Sequence, residues 1–221
     1  MTARKRLLVP ALSTAVMVAI LLTLGAWQVQ RREWKRGLLD AMAAAEHNPP
    51  VPLATGLPPF SKVSVTGHLR ADLAAGYGAE VRGNALGTQL LVPLERAGAP
   101  ALLADLGWVA DPARAVLPPG EVTLTGYIRP GEQPGWFAAT DNIARRAFYT
   151  FDPPAIGAAL GVAVEPYALV VLGDSAPPGA PDPARHLPDV ANNHLQYAIT
   201  WFSLAAVLLA VFTLYLRRPR P

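Results

Sequence analysis

The apolar and polar positions divide this chain into three zones. Leu7 to Gln30 contains no charged residue, and neither does Leu195 to Leu216. Each stretch exceeds the roughly 20 apolar residues that carry a helix across about 30 Å of hydrocarbon. Leu7–Trp27 and Tyr197–Leu216 are therefore the predicted spans. The first has a basic lead, Arg4-Lys5-Arg6. It runs longer than a signal-peptide core, lacks a clean A-x-A site and ends on Trp27, which suits a membrane interface. It reads as an uncleaved anchor. Beyond it Trp34, Leu38, Ala41, Met42 and Ala45 recur at helical spacing until Pro49, Pro50 and Pro52 stop the helix.

The middle zone changes period. Short β-type runs cover Lys62–Arg70, Thr88–Leu94, Ala101–Val109, Glu121–Arg129, Phe148–Phe151 and Tyr167–Gly173. Val63 and Val65, and later Val122 and Leu124, alternate with polar residues as half-buried strands do. Pro153–Leu160 reads as one short helix, with proline at its start and Gly161 at its end. Twenty of the 23 prolines fall in residues 31–193, which suits many short strands and turns. Val63-Ser-Val-Thr-Gly67-His-Leu-Arg70 is echoed by Val122-Thr-Leu-Thr-Gly126-Tyr-Ile-Arg129. Either two strands are bent or bulged at their glycines in a curved sheet or small barrel, or alternating strands simply look alike. Asp174–Val190 is a Pro-rich tether. The expected fold is thus a membrane α+β protein. Two transmembrane helices (residues 7–30 and 195–216) form a hairpin, and an external antiparallel β-sheet or small barrel occupies 31–193.

Charge sets the orientation. The chain has 19 Lys/Arg and 16 Asp/Glu, a net charge of +3. Residues 31–193 hold 13 of the basic and all 16 of the acidic residues, so the excess comes from the tails. A net negative central zone argues against nucleic-acid binding. Arg217, Arg218 and Arg220 follow the second span, with only Arg185 before it. The positive-inside rule puts that end in the cytoplasm, and two spans put the N-terminus there too. Arg31, Arg32, Lys35 and Arg36 follow the first span, but long domains translocate largely regardless of charge.

Catalytic signals are sparse. There is no cysteine, which excludes thiol catalysis, Cys-ligated zinc, Fe–S clusters and disulfides. The histidines at 47, 68, 186 and 194 show no metal-ligand spacing, and G-x-S-x-G, P-loop and H-E-x-x-H are missing. The expectation is a protein that is not an enzyme.

The informative residues sit at the two ends of the middle zone. On a continuous helix Trp27, Arg31 and Trp34 share one face; so do His194, Tyr197 and Trp201 on the second. In a hairpin both sets lie at the same membrane face. An imidazole, aromatic walls and cations together suit a large flat apolar ligand with carboxylates, such as a haem. His194 would ligate iron, and an arginine would pair with a propionate. The same residues also read as an interfacial aromatic belt, lipid-phosphate contacts and an ordinary first helical turn.

Leu24-Gly25-x-Trp27-Gln28-x-x-Arg31-x-x-Trp34-Lys35 and Asn193-His194-x-x-Tyr197-Ala198-x-x-Trp201-Phe202 resemble the two terminal signatures of the Surfeit locus protein 1 family of cytochrome oxidase assembly factors. Val65-x-Gly67, Gly107-Trp108-Val109 and Leu124-x-Gly126 resemble its strand motifs. The resemblance covers Leu21 to Phe202. It implies a role in building haem–copper oxidase at subunit I, with haem a as a transiently held cofactor. It implies His194 as the iron ligand, with Trp27 as a pocket wall and Arg31 as a charge partner; Tyr197 and Trp201, on the His194 face, would then shield the macrocycle. The implied partners are oxidase subunit I, haem a synthase and membrane lipid. The implied location is the bacterial inner membrane, with a periplasmic domain. His68 and His186 are candidates for a second axial ligand. Where the family often has arginine before the central Gly-Trp, this chain has Leu106, preceded by Asp105. A haem-free scaffold for subunit I and an unrelated membrane-anchored binding module are the alternative functions.

Overall fold

The computed structural model describes residues 3–188 and 192–217. Arg218, Arg220 and the last residues of the predicted tether, 189–190, lie outside the described residues. In chain order the elements are α1 (Ala3–His47), β1 (Val51–Pro52), β2 (Lys62–Leu69), β3 (Ala75–Arg82), β4 (Ala85–Arg96), β5 (Ala99–Val109), β6 (Glu121–Pro130), β7 (Ala147–Phe148), α2 (Pro153–Leu160), β8 (Val164–Val171) and α3 (His194–Arg217). They divide into two compact units, Met1–Ala41 with Asp189–Pro221, and Met42–Pro188.

The first unit is a pair of helices, each long and apolar enough to cross a membrane. The positions of α1 least open to the surroundings include Leu21, Gly25, Gln28 and Arg32. Those of α3 include His194, Ala198, Trp201 and Ala205. The steps alternate between four and three residues, the heptad spacing that keeps one seam facing a partner helix. The helices run antiparallel. Asn192 Nδ2 donates to the Arg32 carbonyl at 3.4 Å, His194 meets Gln28, and Phe202 lies against Gly25. Gly25, Ala198 and Ala205 are buried, as close helix approach requires. The remaining faces expose large apolar side chains, among them Leu12, Val16, Ile20, Val207, Val211 and Leu214.

The second unit is built on one eight-stranded sheet in the order β1-β2-β6-β8-β5-β4-β3-β7. The expected antiparallel sheet is in fact mixed. β1 runs parallel to β2, β3 to β7, and β5 to β8. The last pairing follows from α2, which crosses the sheet face before β8 enters the slot between β6 and β5. There β8 is antiparallel to β6 and parallel to β5. A further pairing of His68 with Glu95 and Leu69 with Leu94 curls β2 back onto β4. Two residue pairs make a seam too short to define a closed barrel.

The echoed segments pair with each other. Val63 opposes Gly126 and Gly67 opposes Val122, with no shift of register along β2 and β6. The glycines are therefore not bulges. A Cβ at Gly67 would strike the carbonyl of Glu95, and one at Gly126 that of Val170. Their bare Cα atoms let β4 and β8 close in. The strand over Ala75–Arg82 is absent from the sequence expectation. Gly76 and Gly78 break its hydrophobic alternation, and its pairing with β4 supplies the order instead, through a register shift between Tyr77 and Glu80.

Both sheet faces are covered. Val63, Leu90, Val92, Leu94, Leu102 and Leu169 form one apolar cluster. Leu91, Leu103, Phe148, Phe151, Ile156 and Ala168 form the other, beneath α2. Alternate residues of β4 and β5 point to opposite clusters, as the two-residue strand period demands. Each such side chain contributes roughly 1.5–3 kcal/mol by leaving water. α2 occupies the predicted Pro153–Leu160. Asp152 Oδ1 accepts from the Ala155 N–H at 3.2 Å, and Gly161 closes the helix at φ +76°.

Candidate functional site

The two terminal motifs meet within the helix pair. His194 opens α3 on the seam, and its Nδ1 lies 2.7 Å from Gln28 Oε1 on α1. An amide oxygen only accepts, so Nδ1 carries the proton and donates it. The tautomer is then fixed, with Nε2 left as a lone-pair donor. This is the arrangement by which a neighbouring acceptor orients an imidazole for a metal. Among the described residues, no three His, Cys, Asp or Glu side chains gather to hold a bare ion. A single oriented imidazole suits a metal that brings its own equatorial ligands, as iron in a haem does.

The other predicted residues fall differently. Trp201 is half-buried on the seam with His194. Tyr197 is off the seam and 56 % exposed, and Trp27 is likewise off it at 53 %. The guanidinium of Arg31 sits 4.0 Å over the ring of Trp34, so that predicted face exists as a cation–π contact. Arg31 has no ion pair with another described residue. Arg32 and Arg36 each approach Glu33 at 3.6 Å. Gly25 and Phe202 pack too closely for a flat ligand between the helices at that level. A Cβ on Gly25 would come within 2.6 Å of the ring. A flat ligand held by His194 would have to avoid the Gly25–Phe202 contact.

Gln28 stands within the first motif, but an uncharged amide at a helix position carries no chemical signal by itself. Asn192, just before the second motif, reads in the sequence as no more than a helix cap. Its Nδ2 ties to Arg32, while its Oδ1 is buried without a partner among the described residues. His186 Nδ1 is engaged with Glu46 Oε1 at 3.0 Å, and His68 is exposed on β2. Leu106 is buried in the first sheet cluster. An arginine at that position would put a charge into the apolar core.

In chain order a β-domain lies between two long apolar helices, and the helix pair brings a histidine and a glutamine together. The sequence matches the SURF1 family over residues 15–206, and the chain belongs to that family. It is 25 % identical over 215 residues to a SURF1-like protein of Rickettsia conorii, covering 92 % of this chain and 89 % of that one. It is 27 % identical over 219 residues to a SURF1-like protein of Rickettsia bellii, covering 93 % and 90 %. Surfeit locus protein 1 of Xenopus tropicalis is 27 % identical over 213 residues, covering 83 % of this chain and 68 % of that protein.

Proposed function

We propose that this chain is a membrane-anchored assembly factor for haem–copper oxidase that holds haem a for subunit I. Membership of the SURF1 family supports the assembly role and a binding protein rather than an enzyme. The observation that carries the haem reading is the His194–Gln28 hydrogen bond, which leaves Nε2 as an open donor. In this reading His194 ligates the iron and Trp201 shields one side. Arg31, stacked on Trp34, meets a propionate, and Trp27 and Tyr197 border the macrocycle from their exposed positions. Release to the acceptor follows when subunit I binds the haem more tightly.

The helices span the bilayer as a hairpin, and the exposed apolar faces of α1 and α3 support this. A core helix of a soluble protein buries such side chains. Arg217 at the end of α3 supports a cytoplasmic C-terminus. The domain over Met42–Pro188 then faces the periplasm of a bacterial inner membrane. A docking role for this domain is favoured by Trp136 and Phe137. They occupy the centre of the turn closed by the Ala138 N–H to Gly135 carbonyl bond and are both fully exposed. That turn would also serve a scaffold that never touches haem.

The deciding experiment is the absorption spectrum of the detergent-purified chain made together with haem a synthesis, beside His194→Ala. A haem a spectrum lost in the variant supports the reading. A haem-free protein in both preparations, where a known haem a protein loads, leaves the scaffold.

A further inference from the structure

The β-domain contains a second site, unrelated to the helix pair. Asp105, on β5, is the one buried charged side chain recorded among the described residues, at 4 % exposure. Among those residues its only hydrogen bond comes from the Gly107 N–H to Oδ1 at 3.1 Å. Its second oxygen makes no hydrogen bond to another described residue. The side chain lines a cavity of about 450 Å³ whose walls come from β3, β4, β5, β6 and β8 and from the tether at Asp182 and Ala184. That volume lies within the ordinary range for small-molecule sites.

The rim of the cavity is satisfied internally, and its floor is not. Arg82 pairs with Glu80 at 2.8 Å and with Asp182 at 2.6 Å. Arg129 donates to Glu132 at 2.7 Å and packs its guanidinium 3.8 Å over the ring of Phe151. Neither arginine makes a hydrogen bond to Asp105. The backbone holds this arrangement in place. Gly107 has φ +112°, and a Cβ there would strike the Asp182 carbonyl, so the tether lies directly on β5. Reciprocal bonds between Trp108 and Asp182, 2.9 Å each, fix the contact.

With Asp105 ionised, the lining carries three carboxylates and two guanidiniums. Tyr127 adds an aromatic wall, and rings of this kind attract cations; the Tyr77 ring beside it already has the Arg129 guanidinium 5.5 Å from its centre. We infer that this cavity is a binding site for a cationic nitrogen group, an ammonium or guanidinium, that donates to the free oxygen of Asp105. Such a group arises on a small amine or on a lysine or arginine side chain of a docking protein. The chemistry of recognition is the same for both. Burial raises the Asp105 carboxyl to about 6, against a smaller opposing effect of the Gly107 N–H. A bound cation reverses that burial effect, so binding and ionisation of Asp105 reinforce each other.

The test uses the full ¹⁵N-labelled chain in nanodiscs, with the Gly107 amide as the reporter beside Asp105. The probes are n-butylamine, n-butylguanidine and Nα-acetyl-lysine methylamide, with sodium butyrate as the anionic control. The expected result at about pH 7.5 is a saturable shift of Gly107 with one or more cations and none with butyrate. A capped lysine that outcompetes butylamine assigns the ligand to a protein side chain, and equal binding assigns it to a small amine. Affinity falls at least tenfold in Asp105→Asn, and also in the unmodified chain at about pH 4.5, so the result does not depend on the variant folding. No saturable shift with any cation, or binding that survives both manipulations, overturns the inference.

Discussion

His194 Nδ1 and Gln28 Oε1 stand 2.7 Å apart, so one hydrogen bond joins the two sequence signatures that lie at opposite ends of the chain. The bond fixes which ring nitrogen is free. Replacing Gln28 by alanine leaves the imidazole free to rotate and to change tautomer. Loss of such an orienting partner costs about 10–100-fold in metal affinity. Titration of the purified chain with ferric protoporphyrin, followed by absorbance, checks this. Gln28→Ala is expected to weaken binding by about that factor. Gln28→Glu, which retains an acceptor, is expected to restore it. Equal affinity in all three proteins would remove Gln28 from the site.

Gly25 sets how closely the helices approach, because Phe202 covers its Cα. The atoms a new Cβ meets belong to the far end of the ring, so alanine is absorbed by a small ring movement and leucine is not. Gly25→Leu is expected to destabilise the pair by about 1–3 kcal/mol, the usual range for overpacking. Gly25→Leu with Phe202→Ala should recover most of the loss. The chain contains no cysteine. Cysteines introduced at Leu21 and Ala205 therefore report pairing cleanly, through the yield of oxidative cross-link before and after each change.

Much of this arrangement is legible in the sequence, for physical reasons. A charge-free run of this length and a proline–helix–glycine segment such as Pro153–Gly161 carry their own signals. So do alternating strands such as Val63–Val65. β3 does not, because its two glycines erase the pattern and only its pairing with β4 defines it. The parallel run of β8 beside β5 is also hidden, since period-two alternation is the same in either direction. At the candidate site the chemistry-bearing His194 was readable. The neutral Gln28 was not, because its role exists only once α1 and α3 are side by side. Tyr197 and Trp27 share helical faces with the expected ligand set, but the seam passes beside them.

Gly107 is a position where the backbone leaves no choice of residue. Its φ of +112° is strained for any side chain, and the Asp182 carbonyl occupies the space a Cβ needs. Gly107→Ala must expel the tether from β5 or distort the strand. The expected loss is about 3 kcal/mol or more, since steric and backbone penalties act together. Denaturant unfolding of the full chain in detergent measures it. Hydrogen exchange at the Asp182 amide, which now bonds to Trp108, should accelerate first if the tether is what gives way.

Asp105 gives the domain a distinctive pH response. Its carboxyl is raised from 3.8 to about 6, chiefly because burial disfavours the charged form. The folded state therefore holds the proton more tightly than the unfolded chain. The stabilisation is complete below about pH 4 and is lost as pH rises through about 6. A shift of this size corresponds to about 3 kcal/mol between the two limits. Asp105→Asn mimics the protonated form at every pH. It is expected to be more stable than the unmodified protein at pH 7 and about equal to it near pH 4. Thermal midpoints of both proteins across this range supply the check. Taking the difference cancels groups with the opposite sign, such as Asp72, whose carboxyl is lowered by Arg70. A constant offset between the two curves would mean that folding does not displace the Asp105 carboxyl, and a difference that shrinks as pH rises would mean that a cation already pairs with it; either result would count against the buried, unpaired carboxylate on which its cation site depends.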